Sequence, residues 1–97
     1  MAYRIIWSSQ AVDDVDNIAT YIARDSPSYA AAVVKKILDT VRSLKEYPKA
    51  GRTVIELAEE NIKEQFAYSY RIIYQTQGDT ITIAAVIHGK RLLDLGV

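Results

Sequence analysis

Residues 68–91 constrain the fold most tightly, because they read as two β-strands joined by a tight turn and carry the only histidine, His88. Gln77, Gly78 and Asp79 interrupt two β-rich runs, and Gly78 can take the positive φ that a short hairpin needs. Before the turn, the two-residue strand period puts Tyr70, Ile72 and Tyr74 on one face and Arg71, Ile73 and Gln75 on the other. After it, Ile81, Ile83, Ala85 and Ile87 alternate with Thr82, Ala84, Val86 and His88. The β-branched Ile and Thr side chains suit a pleated surface. Apolar groups on both faces indicate central strands, covered by helices on one side and lining a shallow surface on the other. His88 then falls with Thr82 and Ala84, away from the isoleucine face.

The preceding chain supplies the helices. Residues 3–7 form a short strand with Tyr3, Ile5 and Trp7 on one face. Ser8 and Ser9 offer an N-cap, and Asp13, Asp14 and Asp16 follow early in the helix, where negative charge suits the dipole. Ala11, Val15, Ile18 and Ile22 recur at helical spacing up to a stop near Asp25. Ser26 and Pro27 restart the helix, since proline at the first helical position loses no needed hydrogen bond. Ala30, Val34, Ile37, Val41 and Leu44 form the second stripe, widened by Val33 and Leu38, and Pro48 marks the helix end. The short break predicts an antiparallel helix hairpin. Lys35, Lys36, Arg42, Lys45 and Lys49 give the second helix a basic cast, which a solvated face explains. Residues 50–52 read as a turn, 53–61 as an irregular connection with Glu56, Glu59 and Glu60, and 62–66 as a strand. Residues 92–97 form an apolar tail that needs a surface to pack on, its own core or a partner. The expected architecture is α+β in two layers: an N-terminal strand, an antiparallel helix hairpin, then an antiparallel three-strand meander, β-α-α-β-β-β.

Composition narrows the function. Residues 1–97 are sized for one domain. Twelve Lys and Arg balance twelve Asp and Glu, which argues against strong non-specific nucleic-acid binding. The absence of cysteine removes disulfides, thiolate metal sites and a cysteine nucleophile. One histidine and scattered carboxylates do not make a zinc site, and no phosphate loop, nucleophile elbow or dinucleotide fingerprint is present. No cofactor is expected. No apolar run is long enough to span a bilayer and no signal sequence opens the chain, so a cytoplasmic location is expected.

The candidate chemistry lies in Arg52, Arg71, His88, Lys90 and Arg91, joined by Glu56 or Glu64. Cations around a phosphodiester can stabilise the charge that develops on transfer, and a histidine or carboxylate can move the proton. RNA cleavage through the 2′-hydroxyl needs little more. A histidine at a strand end is also a common structural or surface residue. Arg71 inside a strand needs a partner, and a salt bridge to Glu56 or Glu64 would supply one. Tyr68, Tyr70 and Tyr74 could stack on bases or pack at the core and rim.

Several segments, taken together, resemble the RelE/ParE toxin superfamily: Ala11 to Val15 with Ile18, Tyr21 and Ile22; Pro-x-x-Gly-Arg at 48–52; Tyr-Arg-Ile-Ile-Tyr at 70–74; and His-Gly-Lys-Arg at 88–91. The resemblance covers nearly the whole chain, in order, and implies the strand-helix-helix-three-strand fold. It implies a toxin of a type II toxin–antitoxin pair, wrapped and neutralised by a cognate antitoxin. RelE-like members cleave mRNA in the ribosomal A site; ParE-like members inhibit DNA gyrase and are not nucleases. For a nuclease, the resemblance implies catalytic roles for Arg52, Arg71, His88 and Arg91, with Glu56 as a possible base. For a binding toxin, it directs attention to Glu56, Lys90, Leu92 and Leu93 as contact residues. The chain lacks the C-terminal tyrosine of the nucleases, having none after Tyr74, and its His-Gly-Lys-Arg ending and neutral charge look ParE-like. The implied function is gyrase inhibition, with ribosome-dependent mRNA cleavage and an inactive antitoxin-binding member as alternatives.

Overall fold

The computed structural model describes residues 3–91. Its elements run β1 (Arg4–Trp7), α1 (Ser9–Ala23), α2 (Pro27–Ser43), β2 (Arg52–Thr53), β3 (Ile62–Ala67), β4 (Tyr70–Gln77) and β5 (Thr80–His88). The helices pack on one face of a single sheet of order β1-β5-β4-β3-β2. β1 runs parallel to β5, and the other neighbours are antiparallel. The two-layer α+β arrangement matches the sequence expectation, with one addition. Arg52–Thr53, expected as a turn and an irregular connection, forms a two-residue edge strand opposite Glu64 and Lys63.

Both helix starts follow the capping logic. Ser8 Oγ accepts the Ala11 N–H at 3.0 Å, and Ser26 Oγ accepts that of Tyr29 at 3.1 Å with Pro27 directly after the cap. The second helix ends at Ser43 rather than at Pro48. The Leu44 N–H closes back on the Val41 carbonyl at 3.0 Å, a tighter i−3 bond that turns Leu44 into the core. The buried stripe of α2 is Ala30, Val33, Ile37 and Val41, so Val33 rather than Val34 faces inward and Leu38 is exposed. These residues meet Ile72, Tyr74, Ile81, Ile83 and Val86 from the sheet in one core.

The face assignment of β5 changes midway along the strand. Ile73 pairs with Ala85 but Tyr74 pairs with Ile83, which leaves Ala84 as an extra residue, a β-bulge. Alternation therefore slips by one. Ile81 and Ile83 face the helices before the bulge, and Val86 does so after it. His88, opposite Tyr70, lies on the helix-covered side of the sheet, while Ile87 lies opposite Arg71 on the other side. This corrects the expectation from strict alternation. The bulge is fastened by α1: Ser8 Oγ donates to the Ala84 carbonyl at 3.0 Å, and Asp14 Oδ2 accepts the Val86 N–H at 2.9 Å. Asp14 thus serves the sheet rather than the helix terminus, whose first turn contains no acidic residue. Replacing Asp14 with alanine strands a part-buried N–H and is expected to cost about 1–3 kcal/mol, read from urea unfolding.

The second sheet face is less open than its sequence suggests. Arg71, Ile72, Ile73 and Tyr74 are all buried, so β4 is covered on both sides. The apolar tail, with Leu92 and Leu93, lies outside the described residues.

Candidate functional site

The charged residues converge around Arg71, on the face turned away from the helices. Arg52 on β2 stands opposite Glu64 on β3, and Arg71 on β4 sits diagonally across from Glu64. Glu56 reaches in from the connection between β2 and β3. Arg71 Nε donates to Glu64 Oε1 at 3.0 Å, and Nη2 donates to the same oxygen at 2.7 Å. Nη1 and Nη2 grip the two Glu56 oxygens at 2.9 and 2.8 Å. Nη1 also donates to the Arg91 carbonyl at 3.1 Å. A guanidinium has five N–H groups. Five bonds to Glu56, Glu64 and Arg91 engage them all. Arg71 is 6% exposed and Glu64 4%. The Glu56 hydrogen bond, helped by Glu64 and opposed by burial, pushes the Arg71 guanidinium further up from its ordinary value, so it stays charged. Arg52 completes the group through Nε to Glu64 Oε2 at 3.0 Å, with its guanidinium 4.9 Å from the Phe66 ring centre. Two arginines and two glutamates leave no formal excess, which is how a buried charge becomes tolerable.

The Pro-x-x-Gly-Arg segment closes this side of the fold. The fully buried Tyr74 hydroxyl donates to the Pro48 carbonyl at 3.1 Å and accepts the Gly51 N–H at 3.0 Å. A Cβ at position 51 would collide with that hydroxyl and lie 2.6 Å from the Glu64 carbonyl oxygen. Glycine is required here by closeness of approach. Gly51→Ala is expected to destabilise by about 1–3 kcal/mol through overpacking, seen as a lower urea midpoint.

His88 occupies separate ground. Its ring meets Tyr70 edge-on, 5.6 Å between centres, and its Nδ1 accepts the Lys90 N–H at 3.2 Å. Gly89 donates to the Ser69 carbonyl at 2.6 Å, and Arg91 to that of His88 at 2.9 Å, which fixes the His-Gly-Lys-Arg ending as a turn against the β3–β4 connection. The sequence candidates therefore divide. Arg52, Glu56, Arg71 and the Arg91 backbone come together; His88 lies on the opposite sheet face. Lys90 is exposed on the turn, and Leu92 and Leu93 lie outside the described residues. Strand and charge patterns do not mark Tyr21 as a site residue, yet it lines a cleft of about 300 Å³ with Tyr70, His88 and Arg91. Its signal was available: an aromatic residue of α1 outside the apolar positions Ala11, Val15, Ile18 and Ile22. Among the described residues no three His, Asp or Glu side chains are grouped to hold a metal ion, and no helix is long and apolar enough to cross a membrane.

A family model described as the ParE toxin of the type II toxin–antitoxin system parDE matches residues 5–93. The chain belongs to that family. Among relatives of this ParE-family chain, a Sinorhizobium fredii protein named "Putative toxin Y4kP" is 45% identical over 49 residues, and the match spans about half of each protein, 50% of this chain and 51% of that one. Toxin RelE2 of Caulobacter vibrioides is 29% identical over 90 residues, 92% of this chain and 98% of that protein. Among solved structures, the chromosomal ParDE system of P. aeruginosa has a similar chain at TM-score 0.74 and 20% identity, covering 90% of this chain and 96% of that one. At that identity the likeness shows the fold.

Proposed function

We propose that this ParE-family chain arrests growth by binding DNA gyrase and is neutralised by a cognate antitoxin. The observation that carries the reading is the saturation of Arg71. A nuclease needs its arginine free to meet phosphate as charge develops. Here all five N–H groups are engaged by Glu56, Glu64 and the Arg91 carbonyl. His88, the other nuclease candidate, lies across the sheet from it. A protein that acts by binding needs neither group at a reacting atom. The family match supports the same direction. Ribosome-dependent mRNA cleavage is the second reading, favoured by the near full-length likeness to a toxin named RelE2.

An antitoxin partner follows from the family and from the ParDE pairing of the similar solved structure. The helix hairpin offers it exposed apolar surface at Val12 and Leu38. A neutralising complex is expected to bury at least about 1,200 Å² and bind tighter than micromolar. The test is DNA supercoiling by purified gyrase titrated with the chain. Supercoiling should stop, and equimolar antitoxin should restore it. Undisturbed supercoiling at a large excess of toxin would overturn the gyrase reading.

A further inference from the structure

At the end of the molecule where α1 finishes and α2 begins, tyrosines from three elements gather beside the only histidine. Tyr21 of α1 and Tyr29 of α2 are 69% and 52% exposed. Tyr70 of β4 stands between them and His88, half-buried, with His88 edge-on to its ring. Burial, then the neighbouring Tyr29 and Tyr21 hydroxyls, push the Tyr70 phenol up from its ordinary value. Isolated exposed aromatics need no explanation, but a group of them does. Tyrosine is also the residue type that anchors interfaces most efficiently, through large rigid area with a polar tip.

The cleft that Tyr21, Tyr70 and His88 border has the size and chemistry of a side-chain receptor. It has a volume of about 300 Å³, with Ile18 and Val86 as apolar lining and Arg91 beside them. That volume lies at the bottom of the range for small-molecule sites and suits one large side chain. In the neutral ring, His88 Nδ1 accepts from the Lys90 N–H, which leaves Nε2–H as the donor. Among the described residues the one acid in the lining is Asp14, and it is already engaged: Oδ1 accepts from Gln10 at 2.7 Å and Oδ2 from the Val86 N–H at 2.9 Å. The cleft therefore offers donors, a cation and an apolar lining.

We propose that the Tyr21–Tyr70–His88 cleft is the surface that docks the target protein, taking one large apolar side chain of a segment whose neighbouring carboxylate meets Arg91. The assignment rests on the gyrase reading. Cationic and aromatic groups can also stack a nucleobase, but a formally neutral chain lacks the charge excess that RNA binding draws on.

Tyr21→Ala, Arg91→Glu and, as a control, Tyr47→Ala test this. Tyr21 and Tyr47 are both well exposed, so neither truncation opens the core. Each protein is assayed for inhibition of gyrase supercoiling, for affinity to the antitoxin, for thermal midpoint, and for binding to a labelled single-stranded RNA 12-mer. Tyr21→Ala and Arg91→Glu should each raise the inhibitory concentration roughly tenfold or more, as loss of an interface anchor does. Antitoxin affinity should stay within about twofold. Tyr47→Ala should match the parent in every assay. Unchanged inhibition by Tyr21→Ala would overturn the docking surface while leaving the gyrase reading intact. Antitoxin affinity falling in parallel with inhibition would assign the cleft to the antitoxin instead, and RNA binding lost in Tyr21→Ala would assign it to RNA. A parent protein that does not inhibit gyrase would overturn the reading and, with it, this target for the cleft.

Discussion

Arg71→Ala is expected to destabilise the fold by about 3–5 kcal/mol, because removing one member of a buried ionic group leaves the others uncompensated. Glu64, 4% exposed, would keep a single ion partner, Arg52. Glu56 would lose both guanidinium bonds, and the Arg91 carbonyl its donor. For a small domain of about 5–15 kcal/mol total stability, such a loss removes a large fraction of the margin that keeps it folded. Urea unfolding followed by circular dichroism measures it. A compensated variant, Arg71→Met with Glu56→Gln and Glu64→Leu, should recover a large part of the loss, since well-packed neutral groups often replace a buried ionic group without cost. Arg71→Ala with parental stability would contradict the structural role.

Tyr74→Ala is the second large effect. The side chain is fully buried and ties the strand to the 48–51 segment through the Pro48 carbonyl and the Gly51 N–H. Truncating a buried aromatic costs about 3–5 kcal/mol. Tyr74→Phe keeps the ring and loses the hydroxyl, with an expected cost of about 1–3 kcal/mol from the unsatisfied Gly51 N–H. The hydroxyl also makes stability depend on alkaline pH. Burial, partly offset by the Gly51 bond, raises the Tyr74 phenol above its unfolded value of about 10. The folded state therefore holds its proton longer than the unfolded state does. Stability from this source is complete below about pH 10 and declines as pH rises beyond it. Unfolding free energies at pH 8 and pH 11 should differ less in Tyr74→Phe than in the parent.

Local patterns made the helices and the central hairpin legible. Serine caps, proline at a first helical position and a glycine turn act over a few residues, and Gly78 does have φ 60°. Long-range effects account for what the sequence hid. The Ala84 bulge depends on Ser8 and Asp14, which lie 76 and 72 positions from their bonded partners, and no strand period reports it. His88 changed faces for that reason. Arg52–Thr53 is a strand only because Glu64 and Lys63 come to lie beside it. Arg71 carried its own clue, a charge within an apolar run, and both glutamates considered as its partners bind it. The tyrosine cleft gathers residues from positions 21, 70 and 88, which only the packing of α1 against the sheet brings together.

The most direct test of a toxin that binds rather than cuts is to map mRNA ends by primer extension. Translating ribosomes would be treated with the purified chain, and gyrase supercoiling measured on the same preparation. Messages should stay intact while supercoiling is lost. New ends within codons, appearing only with ribosomes present while supercoiling continues, would contradict this and return Arg71 and His88 to consideration as catalytic residues.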